Sequence, residues 1–174
     1  MDARKTNVFM KKRGIMVAGL LLLALAGYSQ VKSGAFRLML KGLLRHSVPE
    51  ISVSAAARDS ASIVFLDARE IREYQVSHLK SAIHAGYDSF SVARLPPLDK
   101  NSRIVVYCSV GYRSEKVSEQ LLAAGFTRVA NLYGGIFEWV NQGFPVYNEK
   151  GRTNAVHAYD KTWGVWLEQG EKVY

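Results

Sequence analysis

The sequence predicts an α/β protein whose core is a mostly parallel sheet flanked by helices. From Ile51 onward, short β-branched runs alternate with segments of helical spacing, which is typical of parallel strands joined by helical crossovers. The 174 residues suit one domain with terminal extensions, and 48% of them are apolar, an ordinary globular composition. A separate apolar segment near the N-terminus lies outside this alternating pattern.

The net charge of +8 is confined to the N-terminal part of the chain. Residues 1–46 contain nine Lys and Arg and a single acid, Asp2, whereas residues 47–174 contain 14 basic and 14 acidic residues. A domain without a net positive field has little attraction for a phosphate backbone. We therefore expect no nucleic acid among its partners.

Residues 1–28 have the layout of a signal peptide or a membrane anchor. Basic residues at positions 11–13 precede an apolar run over residues 14–28, and Ala24 and Ala26 match a small-residue cleavage site. A helix of this run reaches about 22 Å, short of the roughly 30 Å hydrocarbon core, which favours a cleaved signal over a transmembrane helix. Either alternative predicts a protein of the cell envelope, periplasmic or anchored to the inner membrane.

Residues 29–48 are predicted to form a basic amphipathic linker that ends before Pro49. Its apolar residues recur at helical spacing: Phe36, Met39, Leu40, Leu43 and Leu44. Its basic residues are Lys32, Arg37, Lys41 and Arg45. Two alternatives follow, a helix packed on the domain or a helix held at an anionic membrane surface.

The domain itself is predicted over residues 49–148. Buried β-branched runs predict strands over residues 62–67, 103–108 and 128–132. Helices are expected over residues 68–79, 88–95, 114–125 and 135–143. Gly125 is typical of a helix C-terminus, and Pro96 marks the end of the second helix.

Residues 149–174 form a C-terminal extension beyond the predicted domain. Its large apolar residues have the spacing of one helical face: Tyr159, Trp163, Trp166 and Leu167. We expect this face to pack against the domain.

Cys108, the only cysteine, follows a predicted strand and begins a six-residue loop that ends at Arg113. Ligands of α/β sheets bind beyond the carboxyl ends of the strands. The loop leads into a helix, whose free N–H groups and dipole favour a thiolate, and Gly111 permits a tight turn. Arg113 adds a forked positive charge. Cys108 is therefore either a buried packing residue or a nucleophile beside an anion site.

Four ordered motifs resemble the rhodanese domain, a sulfurtransferase fold. They are ISVSAAA at residues 51–57, FLDAREIREYQVSHLKSAIH at 65–84, VVYCSVGYRS at 105–114 and NLYGGIFEWVNQGFPV at 131–146. Ser77 and Ser81 stand where the family usually has glycine. The resemblance covers the whole predicted domain and implies a rhodanese-like fold.

The resemblance implies that Cys108 takes sulfur from a small anionic donor such as thiosulfate and carries it as a persulfide. The sulfur then passes to a thiophilic acceptor, either a small molecule or a protein. The persulfide would be held by the backbone amides of Ser109, Val110, Gly111, Tyr112, Arg113 and Ser114. The Arg113 side chain would also bind the anionic donor. Asp67 and Arg69 are implied as a structural pair, and no metal or other cofactor is expected.

Two other functions remain open. One is a phosphatase or arsenate reductase of the same fold, although such relatives have one more loop residue than the six from Cys108 to Arg113. The other is a non-catalytic rhodanese-like binding module. His78, His84 and His157 have no neighbours in sequence that indicate a metal site, and we assign no general base.

Overall fold

The computed structural model describes residue 31 and residues 33–174. Its central sheet contains five parallel strands: β1 (Glu50–Ile51), β2 (Val64–Asp67), β3 (Ile83–His84), β4 (Ile104–Tyr107) and β5 (Val129–Leu132). Their spatial order is β1-β5-β4-β2-β3, which places β4 at the centre. The predicted α/β class and the parallel sheet are confirmed.

Within residues 33–174, five α-helices accompany the sheet: α1 (Gly34–Leu43), α2 (Val53–Arg58), α3 (Ile71–Val76), α4 (Tyr112–Ala123) and α5 (Gly135–Asn141). Successive side chains of β4 point to opposite faces, as strand geometry requires. Val105 and Tyr107 belong to the core shared with α1, α2 and α5. Ile104 and Val106 belong to a second core, shared with α4. The sheet is thus covered on both faces.

Helix α1 packs on the domain. The Ser33 hydroxyl caps it by accepting a hydrogen bond from the Phe36 N–H. Phe36 and Leu40 are fully buried, and the Phe36 ring stacks on Trp166 with a centroid distance of 5.4 Å. The structure therefore has the first of the two predicted alternatives for this segment, although Leu38 remains exposed.

No helix in the described part of the chain has the length and apolar composition needed to cross a bilayer. The predicted signal peptide or anchor, residues 1–28, lies outside the described residues.

Two predicted helices differ from the structure. Residues 88–95 form only a 3₁₀ turn, Val92–Arg94, because Leu95 is extended before Pro96, as the residue preceding a proline tends to be. The helix predicted over residues 68–79 is shortened to α3, since Ser77 is extended. Ser81 adopts a left-handed conformation, with φ 58°, which explains the glycine usual at this position in the family.

The C-terminal extension is not a helix, and that prediction is wrong. It contains strands β7 (Gly151–Thr153), β8 (Ala155–His157) and β9 (Glu171–Val173) and a 3₁₀ turn, Trp163–Trp166. Strand β7 pairs with β6 (Val146–Asn148), the last strand of the domain. Tyr159 has φ 67°, which no right-handed helix accommodates. The extension still packs on the domain, because Leu167 is fully buried and Trp166 stacks on Phe36.

Candidate active site

Cys108 directly follows β4 at the carboxyl end of the central strand. Its side chain is buried, and its Sγ accepts a hydrogen bond of 3.1 Å from the Gly111 N–H. Gly111 has φ 124°, a conformation available to glycine, and precedes the first residue of α4, Tyr112. The helix therefore begins two residues before the predicted start and brings its N-terminus close to the sulfur.

The carbonyl groups of this loop are held by α5. The Ile136 N–H donates to the Cys108 carbonyl at 2.9 Å, and the Phe137 N–H donates to the Ser109 carbonyl at 3.1 Å. Gly135 makes this approach feasible, since a Cβ there would lie only 2.6 Å from the Ser109 carbonyl oxygen. The Gly-Gly pair was visible in the sequence, but its role depends on a contact that sequence spacing does not show.

Strand β5 supports the loop from another direction. The Ser114 hydroxyl donates to Asn131 Oδ1 at 2.7 Å, and Asn131 Nδ2 donates to the Gly111 carbonyl at 2.9 Å. Val110 is buried in the core, whereas Tyr112 is exposed. Backbone amides of residues 109–114 are predicted to hold the persulfide, and three side chains of this segment have different roles. Ser114 anchors the loop, Val110 packs in the core and Tyr112 lines a cavity.

Arg113 is bound to a carboxylate that the sequence analysis did not single out. Its Nη1 donates to Glu73 Oε2 at 2.7 Å, and its Nη2 donates to Glu73 Oε1 at 2.8 Å. The Ser109 hydroxyl donates to Glu73 Oε1, and Arg113 Nη2 donates to that hydroxyl, each at 3.1 Å. Glu73 lies in the second motif of the resemblance, at residues 65–84, and that motif was the signal from which it could have been found. These bonds connect α3 to the cysteine loop.

The ionisation of this pair follows from its surroundings. Burial opposes the charged form of Glu73, but the hydrogen bonds and the charge of Arg113 outweigh it and hold the pKa of Glu73 below its usual range. Burial alone would lower the pKa of Arg113. The hydrogen bonds to Glu73 more than offset this effect of burial, so the pKa of Arg113 lies above its ordinary value. Both groups are charged at neutral pH.

Asp67 and Arg69 form a second ion pair, fully buried at the end of β2. Arg69 Nε donates to Asp67 Oδ1 at 2.9 Å, and Arg69 Nη2 donates to Asp67 Oδ2 at 2.6 Å. The same Nη2 donates to the Ser77 carbonyl at 2.6 Å, which fixes the chain after α3. The pair therefore connects the end of β2 to the segment after α3.

The three histidines named in the sequence analysis have separate surroundings. His78 Nδ1 is hydrogen-bonded to the Tyr74 carbonyl, and His84 Nε2 to the Arg69 carbonyl. His157 Nδ1 accepts from the Tyr159 N–H at 3.0 Å, and burial lowers the pKa of His157. Over residues 31 and 33–174, no three His, Cys, Asp or Glu side chains lie together as a metal-binding group.

A cavity of about 460 Å³ adjoins the cysteine loop. The loop contributes Cys108, Ser109, Val110, Tyr112 and Arg113 to its lining. Charged groups of both signs also line it: Glu70, Arg72 and Asp88. Tyr87 contributes a further ring, and the cavity is completed by Leu43 from α1 and by Tyr159 and Trp163 from the C-terminal extension. The sequence analysis did not place these last three residues at the site.

The sequence of the domain matches a known protein family. A family model for the rhodanese-like domain matches residues 52–142, more than half of the chain. The chain belongs to the rhodanese-like domain family. The matched range contains the cysteine loop, Glu73, Asp67 and Arg69, but it excludes Leu43, Tyr159 and Trp163.

Individual relatives are consistent with this membership. The chain is 37% identical over 97 residues to the tRNA uridine(34) hydroxylase of Photorhabdus laumondii, a match covering 51% of this chain and only 28% of that protein. It is 31% identical to the thiosulfate sulfurtransferase of Pseudomonas aeruginosa, with a TM-score of 0.50, covering 60% of this chain and 21% of that one. The fold also matches a rhodanese-like domain from Anabaena at 22% identity and a TM-score of 0.53, covering 57% and 79% of the two chains.

Proposed function

We propose that this protein is a sulfurtransferase that carries sulfane sulfur as a persulfide on Cys108. The observation that supports it most directly is the position of Cys108 Sγ. It accepts the Gly111 N–H at the start of α4, in a six-residue loop whose last residue is the charged Arg113. A helix N-terminus and a nearby guanidinium stabilise a thiolate and a persulfide anion alike.

The reaction has two balanced half-reactions. The Cys108 thiolate attacks the outer sulfur of thiosulfate, forming an S–S bond, while the S–S bond of the donor breaks and sulfite leaves with its electron pair. A thiophilic acceptor then attacks the outer persulfide sulfur, and Cys108 leaves as a thiolate. This is covalent catalysis, and it needs no external oxidant.

Arg72 is the cation best placed to attract the anionic donor. The guanidinium of Arg113 is already bound to Glu73 and Ser109. Arg72 is exposed and lines the same cavity, and within residues 33–174 no carboxylate forms a salt bridge with it. Arg113 would then mainly hold the loop in place and contribute its charge to the thiolate.

Incubation with thiosulfate tests the proposed function directly. We expect the intact mass to rise by one sulfur atom and cyanide to remove that atom as thiocyanate. A protein that gains no sulfur but hydrolyses an aryl phosphate at Cys108 would contradict the proposal and support the phosphatase alternative. A protein that does neither would support the non-catalytic binding module.

The name tRNA uridine(34) hydroxylase does not by itself extend to this chain. The match covers 28% of the Photorhabdus protein, so most of that protein has no counterpart in the aligned region. The balanced charge of residues 47–174 gives a nucleic acid little to bind. A small-molecule or protein acceptor fits the domain better.

We also propose that residues 1–28 direct the domain to the cell envelope, where basic side chains of α1 would face an anionic membrane surface. Arg37 and Lys41 are exposed on α1 beside the exposed Leu38. For a cleaved signal, N-terminal sequencing of the protein from its native host should begin at Gly27, after Ala26. A start at Met1 or Met10 in the membrane fraction would support an anchor, and a full-length chain in the cytosol would contradict both.

A further inference from the structure

The cavity beside Cys108 is larger than the proposed donor requires. Its volume is about 460 Å³, within the range of sites that enclose organic ligands, whereas thiosulfate and cyanide are small ions. The additional space is bounded in part by the C-terminal extension, through Tyr159 and Trp163. Both residues lie beyond the range that the family model matches, 52–142. This part of the site is therefore contributed by the extension and not by the family domain.

Tyr159 is held over the active-site arginine in a strained conformation. Its φ of 67° is unfavourable for a tyrosine, and its ring lies 5.2 Å from the Arg113 guanidinium carbon. The backbone is fixed there, because its N–H donates to His157 Nδ1 at 3.0 Å. Strained residues persist where the surrounding structure determines them, and they concentrate at functional sites.

Trp163 is fixed by the turn that follows Tyr159. Its N–H donates to Asp160 Oδ1 at 2.9 Å, and the Gly164 N–H donates to the Asp160 carbonyl at 2.8 Å. The indole is half-buried against the main core and also lines the cavity. The rings of Tyr159 and Trp163 are thus held in place on one side of the cavity, and we call these two residues the aromatic wall.

The charges around the cavity do not form a site suited to anions alone. Arg113 is engaged in an ion pair with Glu73, and the remaining charged groups have opposite signs: Arg72, Glu70 and Asp88. Neither thiosulfate nor cyanide has an apolar surface for the aromatic wall to contact. An organic acceptor has such a surface, and aromatic side chains bind it by burying it from water.

We infer that the sulfur acceptor is a low-molecular-weight thiol carrying an aromatic or bulky apolar group, which binds against Tyr159 and Trp163. This inference rests on the proposed function. The thiolate of the acceptor attacks the outer sulfur of the Cys108 persulfide and forms a new S–S bond. The S–S bond to Cys108 breaks, Cys108 leaves as a thiolate, and the product is the persulfide of the acceptor. The proton released when the acceptor thiol ionises goes to solvent.

The test compares two acceptors on protein already loaded with sulfur. Phenylmethanethiol has an aromatic group, whereas 2-mercaptoethanol is small and polar. We expect wild-type protein to prefer phenylmethanethiol and Tyr159→Gly to lower that preference about tenfold, measured as the ratio of the two second-order rate constants. Glycine accepts the left-handed backbone, so loss of the ring is separated from backbone strain. A general effect on the persulfide cancels in the ratio.

Matched variants complete the test. Tyr159→Phe retains the ring and should keep the preference, and Val165→Ala changes an exposed residue of the same extension that does not line the cavity. The melting temperature of each variant establishes that it is folded. Equal preference in wild-type and Tyr159→Gly protein, or an equal loss in Val165→Ala, would overturn the inference.

A binding measurement distinguishes this inference from the proposed function. Benzyl alcohol resembles phenylmethanethiol but transfers no sulfur, and its binding can be followed by saturation-transfer NMR. We expect binding to wild-type protein that weakens in Tyr159→Gly. If thiosulfate loads no sulfur, the proposed function fails even where benzyl alcohol binds. If sulfur is loaded but benzyl alcohol does not bind, the inference alone fails.

Discussion

Replacing Cys108 with serine will leave a folded protein with no sulfurtransferase activity. The serine hydroxyl still accepts the Gly111 N–H, so the loop keeps the contact that Sγ makes at 3.1 Å. A hydroxyl does not ionise at neutral pH as a thiol can, and it does not form a persulfide. We expect thiocyanate formation to fall at least about 10³-fold, as on loss of a covalent nucleophile. The assay measures thiocyanate released from thiosulfate and cyanide.

The single cysteine makes this test unusually clear. No other thiol in the chain can take up sulfur in place of Cys108. Cys108→Ala provides a second variant, which lacks the hydrogen-bond acceptor and should cost about 1 kcal/mol of stability. Sulfur uptake by either variant, seen as a mass increase after thiosulfate, would show that a group other than Cys108 holds the sulfur, and it would contradict the proposed persulfide.

The sequence could predict the part of the fold that depends on local pattern. The strands that became β2, β4 and β5 have dense β-branched runs, and their positions are close to those predicted. The C-terminal extension was mistaken for a helix because Tyr159 and Trp163 happen to have helical spacing. The backbone of Tyr159 is instead set by tertiary contacts, including the bond to His157, which no local pattern records.

The same distinction applies to the candidate site. Cys108, Gly111 and Arg113 lie in one short loop, so their proximity was visible in the sequence. Glu73 is 40 residues from Arg113 in sequence, and their pairing depends on how α3 packs beside the cysteine loop. The two residues of the aromatic wall are still further from the loop in sequence. The cysteine loop was therefore predictable from the sequence, whereas the groups that position and surround it were not.

Breaking the ion pair of Glu73 and Arg113 should markedly lower the stability of the fold. Glu73 is fully buried and Arg113 is 14% exposed, so Glu73→Leu leaves a largely buried guanidinium without its carboxylate. Breaking a buried pair from one side costs about 3 kcal/mol. For a domain of this size, the melting temperature should fall by about 10 °C. Sulfur transfer should also decline, because Ser109 loses the same carboxylate partner.

A double variant tests whether the two residues act as a pair. Glu73→Leu with Arg113→Leu removes both charges, and we expect it to recover most of the stability lost by Glu73→Leu alone. Activity should stay low, since the charge beside Cys108 is absent. Losses of stability that simply add in the double variant would contradict a direct coupling between Glu73 and Arg113.

Acid provides an independent measurement of the same pair. The folded-state pKa of Glu73 is held below its usual value of 4.5, so the unfolded chain binds a proton more readily than the folded one. The stabilisation by this carboxylate is therefore fully present above about pH 4.5 and is lost as the pH falls through the folded-state pKa. The double variant lacks this carboxylate, and its melting temperature should decline less steeply with acid than that of the wild type. Equally steep declines would mean that Glu73 contributes little to the acid sensitivity of the fold.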